Sequence, residues 1–171
     1  MKNSQARLLR WLGLMVAVVF VTPGIFRPLA GHPLELVNLV FHETGHVLLA
    51  PAGATLMLLG GSLFQVLVPA VCIGHFWRRC DHYAAGLLCL WLAQSWAGVA
   101  AYVQDAPTRA LDLITGDPDT HDWWQLLGAC LTPGCGHLNW ADPLGRLLMV
   151  VAVLTALFGV LLAIWNDLQE L

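Results

Sequence analysis

Residues 34–50 read LELVNLVFHETGHVLLA, an almost wholly apolar run that contains His42-Glu43-Thr44-Gly45-His46, an HExxH pattern. On a helix, positions i and i+4 share a face, so both imidazoles reach one metal ion. Glu43 projects about a quarter turn away, close enough to act on a water beside that metal. Two histidines and a carboxylate are costly in hydrocarbon unless they bind something or are shielded from lipid. The stretch therefore predicts zinc-dependent hydrolysis at membrane depth. The competing reading of His42 and His46 is a satisfied core pair on one helix face.

Composition supports the membrane setting. The 171 residues are 58% hydrophobic and 11% charged, with a mean hydropathy of +0.69. A soluble domain carries about a quarter charged residues. So much apolar surface exceeds what a core of this size buries, so the bilayer is expected to solvate much of it. The net charge of −3 decides little, and no basic patch suggests nucleic acid. The five cysteines, an odd number with Cys72 and Cys89 inside apolar runs, do not form a disulfide framework pattern. Buried, weakly polar thiols are expected; Cys130 and Cys135, followed by His137, also offer a second metal site or a disulfide, without a CxxC pair to strengthen either.

The expected architecture is all-α, a single multi-pass membrane domain over 1–171 with four to five transmembrane or re-entrant helices. The first spans 8–26 behind Lys2, Arg7 and Arg10, which favours a cytoplasmic N-terminus in the cell membrane. Arg27-Pro28-Leu29-Ala30-Gly31 makes a poor cleavage site for a secretory signal. The HExxH helix, 34–50, is followed by 55–76, interrupted by Gly60-Gly61 and Pro69. That glycine pair predicts a partly irregular segment or a close backbone approach. Trp77-Arg78-Arg79 reads as an interfacial stop, 83–103 as a transmembrane helix and 147–165 as the last one. The acidic interfacial loop 104–146 is expected to be partly irregular, with one short helix from about His121 to Leu131 ended by Pro133-Gly134. If all five apolar segments cross, Arg78 and Arg79 lie outside; if 34–50 and 55–76 together cross once, they fall inside, which suits the positive-inside rule better.

Catalytic zinc usually takes three protein ligands plus water, so the HExxH pair needs a partner. Asp119-Thr120-His121-Asp122-Trp123 offers the best candidates, His121 or Asp122 first, with Asp119 and Asp105 behind them. A carboxylate there also suits orienting a metal-bound imidazole through its other nitrogen. The structural alternatives are Asp119 as an N-cap with Asp122 as a capping-box acid, and His121 as a solvated interfacial ring. Trp123 and Trp124 are expected to anchor the loop at headgroup level. Asn38 lies on the His42 face, available to a ligand or a neighbouring helix. Gln65 suits a substrate backbone or helix–helix contact, and Gln94 and Ser95 the latter.

An HExxH embedded in a membrane segment of a small multi-helix protein resembles the site-2 protease family of intramembrane zinc metalloproteases. The match rests on His42, Glu43 and His46, with support from Gly60–Gln65 and a later aspartate-bearing segment. The resemblance implies zinc on His42 and His46, Glu43 activating water, a third acidic ligand from a later helix, and hydrolysis of a peptide or transmembrane-protein substrate. The family's usual N-P-D-G or L-D-G string is absent, and Asp117-Pro118-Asp119 and His121-Asp122-Trp123 stand nearest to it. The rival readings are a non-proteolytic metal-binding or transport protein, an inactive relative, and a structural subunit with an incidental motif.

Overall fold

The computed structural model describes residues 2–128 and 136–169. All regular secondary structure among the described residues is helical: α1 (Lys2–Phe26), α2 (Pro33–Leu49), α3 (Ala54–Arg78), α4 (His82–Asp105), α5 (Asp122–Leu127) and α6 (Ala141–Gln169), with short 3-10 turns at Ala50–Ala52, Pro118–Thr120 and Leu138–Trp140. Four helices, α1, α3, α4 and α6, are long and apolar enough to cross a membrane. The 17 residues of α2 rise only about 25 Å, short of a hydrocarbon core of about 30 Å.

Local chemistry sets where α2 begins. Pro33 occupies the first turn, where its missing N–H costs nothing, and His32 caps the helix by accepting the Leu34 N–H. The other His32 nitrogen then carries the proton and donates to the Phe20 carbonyl at 2.9 Å. Glu35 reaches back to take the N–H groups of Leu29 and Gly31, closing the α1–α2 turn. At its other end α2 reverses into α3 through Gly53, whose φ of +99° suits a residue without Cβ.

The expected irregularity at Gly60-Gly61 is not observed: α3 runs unbroken from Ala54 to Arg78, through Pro69 as well. The glycines serve close approach instead. Antiparallel α2 and α3 cross at Gly45 and Gly60, where a Cβ on Gly60 would sit 2.5 Å from the Gly45 carbonyl oxygen. Buried Leu58 and Val66 offset the intrinsic cost of about 1 kcal/mol per glycine and keep the helix continuous through the pair.

Helix α4 is the centre of the bundle. It packs antiparallel on α6, where Gly86 and Gly159 meet backbone to backbone and Ala85, Ala93, Ala97, Ala100, Ala152 and Ala163 are buried. Small residues let helices approach closely without relying on hydrophobic expulsion from water. The opposite faces of α1 and α6 expose Val16, Val19, Leu147, Leu154 and Leu161.

Between α4 and α6 the chain folds back over the bundle. The short helix is α5, six residues capped by His121; its expected end near Leu131 lies outside the described residues. Trp123 and Trp124 are half-buried: Trp123 donates its indole N–H to Ser62 Oγ at 3.0 Å, and Arg109 lies over the Trp124 ring at 4.3 Å. Both pack against the Val99–Val103 end of α4. Cys130, Cys135 and the Pro133-Gly134 stop lie outside the described residues.

Candidate metal centre

His42 and His46, one turn apart on α2, meet Asp122 at the start of α5. The potential ligand atoms of the three side chains all lie within 4.8 Å of one another. Asp122 Oδ2 stands 3.0 Å from His42 Nε2 and 3.2 Å from His46 Nε2.

The surrounding hydrogen bonds decide where the imidazole protons are. His46 Nδ1 lies 2.8 Å from the Met57 carbonyl, which only accepts, so Nδ1 carries the proton. His42 Nδ1 faces Gln65 Oε1 at 3.3 Å. Gln65 cannot turn its amide, because its NH2 group donates to the Ser95 carbonyl at 3.2 Å. His42 therefore also protonates at Nδ1. Both neutral rings then aim Nε2 lone pairs at the same carboxylate oxygen. Three acceptors converging with no proton between them repel one another unless positive charge lies among them. A proton on one ring, or a divalent cation held among the three, supplies it.

The donor set fits zinc. Two imidazoles held by Nδ1–H bonds to oxygen and one carboxylate form a common catalytic ligand set. The Asp122 oxygen stands 3.0 and 3.2 Å from the two Nε2 atoms and all three ligand atoms lie within 4.8 Å of one another, close enough for one ion to be shared among them. Space is reserved as well: a Cβ on Gly61 would collide with His42 Nε2 and lie 2.6 Å from His46 Nε2.

Asp122 is held from several sides. Burial raises its carboxyl, but the two imidazoles outweigh this and keep it below the usual carboxylate range, so it is an anion. The Tyr102 hydroxyl contacts both its N–H and its Oδ2. Neighbouring His121 is fully buried; its Nδ1 accepts the Trp124 N–H as the α5 cap. Its Nε2 consequently bears the proton and faces Asp105 Oδ2 at 3.5 Å. Burial holds the His121 ring below the ordinary histidine value despite that carboxylate, so the ring is neutral.

Beside the cluster lies a cavity of about 570 Å³, within the usual size of a ligand site of about 300–1,000 Å³. Glu43, His42, His46 and Asp122 line one part, and Leu36, Leu39 and the 110–115 segment line another. Asn38 turns to α4, where its Oδ1 accepts from Trp91 Nε1 and Ser95 Oγ and its Nδ2 donates to Gln94 Oε1 at 2.6 Å. The donor-only indole fixes the Asn38 amide, which in turn fixes Gln94.

Of the residues singled out in the sequence, the structure groups His42, His46 and Asp122 and sets Glu43 in the adjoining cavity wall. His121 stays outside the group, committed to capping and to Asp105. Asp119 is exposed and pairs with Arg109. Gln65 lines the cavity with both ends of its amide engaged. Tyr102 went unnoticed in the sequence; its one signal was a hydroxyl a turn before Asp105 at the end of an apolar run. No protein-family model, curated protein or solved structure matches this chain.

Proposed function

We propose that the protein is an intramembrane zinc metalloprotease that hydrolyses peptide bonds of a membrane-associated substrate. The observation that carries this reading is the convergence of His42 Nε2, His46 Nε2 and Asp122 Oδ2 on one point beside Glu43 and a largely apolar cavity. Bound there, zinc supplies Lewis acidity toward a carbonyl oxygen and toward water. Glu43 takes the proton of the attacking water and hands it to the departing amine nitrogen. Gln65 and the Met57 carbonyl keep both imidazoles in the ligating tautomer. The 110–115 segment, with Leu111, Leu113 and Ile114, walls the cavity against lipid and gives a peptide an apolar face to lie on. The four long apolar helices and the exposed aliphatic faces of α1 and α6 support a location in the cell membrane, with Lys2, Arg7 and Arg10 on the cytoplasmic side.

Glu43→Gln tests the assignment against a non-proteolytic metal-binding or transport role. In detergent-solubilised protein incubated with a mixed library of apolar peptides, the variant is expected to keep its zinc and lose cleavage by about 10²- to 10⁴-fold, the scale of general-base catalysis. Undiminished cleavage contradicts the assignment of Glu43, and an absence of cleavage by the zinc-loaded wild type contradicts the protease reading.

A further inference from the structure

We propose that Tyr102 is the positioning residue that presents the Asp122 carboxylate to the metal. The inference rests on the metal reading above and extends it to a residue outside the ligand set. A single hydroxyl makes two contacts with Asp122: its oxygen accepts the backbone N–H at 3.1 Å, and its proton goes to Oδ2 at 3.3 Å. These contacts resolve a competition. An aspartate in the first turn of a helix is drawn toward the unpaired N–H groups there, as capping acids are. Tyr102 takes up the Asp122 N–H and pulls the carboxylate the other way, toward α2. Oδ2 has two lone pairs, and the hydroxyl uses one while the other points to the His42–His46 pair.

The ring constrains the same assembly. It stacks on His121 with centroids 4.1 Å apart and meets the His42 ring edge-on at 5.6 Å. One turn further along α4, Asp105 faces the His121 Nε2 proton and accepts the Ala110 and Leu111 N–H groups. The last turn of α4 thus pins the loop that delivers the third donor at both ends, and Tyr102 sets the donor itself.

The test uses the full chain in detergent loaded with cobalt(II), whose absorption bands report ligand geometry. Tyr102→Phe keeps the ring and its stacking and removes only the hydroxyl. Chelator competition is expected to show metal affinity weakened about 10- to 100-fold, the usual effect of losing a group that orients a ligand, together with a changed cobalt spectrum. Tyr83→Phe deletes a hydroxyl that donates to the Arg10 carbonyl, away from the site, and is the control expected to change neither. The proposal is overturned if Tyr102→Phe retains the wild-type affinity and spectrum, or if Tyr83→Phe shifts both as far. A wild type that takes up no cobalt overturns it together with the metal reading, a result visible before any variant is compared.

Discussion

At the residue scale the site is a problem of proton placement. His42 and His46 are able to turn Nε2 toward a metal because Gln65 and the Met57 carbonyl each claim an Nδ1–H. Gly61 is equally necessary, since any Cβ there occupies the space of the two Nε2 atoms. Gly61→Ala is therefore expected to displace a ring and weaken zinc binding about tenfold or more, given that overpacking costs about 1–3 kcal/mol and 1.4 kcal/mol is a factor of ten. Gly74→Ala, with nothing within 4 Å of its new Cβ, is the matched control. Chelator competition on both variants checks this; equal affinities would contradict it. The i, i+4 histidines and the acid between them were legible in the sequence because helix geometry alone puts them together. Asp122 was legible only as one of two leading candidates with His121, ahead of Asp119 and Asp105. What separates it from His121, Asp119 and Asp105 is contact across 80 residues of sequence, and no local pattern encodes that.

At the element scale, the short α2 is placed by α3. Their antiparallel crossing at Gly45 and Gly60 brings the HExxH face down onto Gly61 and Gln65. Of the two readings the glycine pair allowed, a partly irregular segment or a close backbone approach, the structure takes the second, because tertiary contact with α2 and α4 outweighs the intrinsic penalty of glycine in a helix. Gly60→Ala is expected to push the helices apart and lower stability by about 1–3 kcal/mol, seen as a reduced thermal midpoint in detergent relative to Gly74→Ala. An unchanged midpoint would mean that the crossing relaxes at no cost. Helix α5 shows the converse limit. His121 rather than Asp119 became its cap because Asp119 is paired with Arg109 and Asp117 caps the preceding turn. Several residues in that loop could have capped the helix, and only the tertiary pairing chose among them.

At the scale of the whole molecule, hydropathy made the long helices readable, and α4 is the one whose burial identifies it as the hub. Its inward residues are mostly small or polar (alanine, glycine, serine and glutamine), with Leu90, Val99 and Val103 among them, so the most central element has less hydrophobic surface to advertise than the other long helices. The outward faces of α1 and α6 are aliphatic, which predicts that the protein stays with the membrane pellet after alkaline carbonate extraction; release into the supernatant would contradict an integral location. The proposed function depends most on the His42–His46–Asp122 triangle holding a metal, and zinc content per chain tests it most directly. Elemental analysis of purified protein is expected to find about one zinc per chain in the wild type and in His121→Asn, which keeps a good helix cap, and to find it lost in Asp122→Ala. No zinc in the wild type, or zinc retained in Asp122→Ala but lost in His121→Asn, would contradict the account.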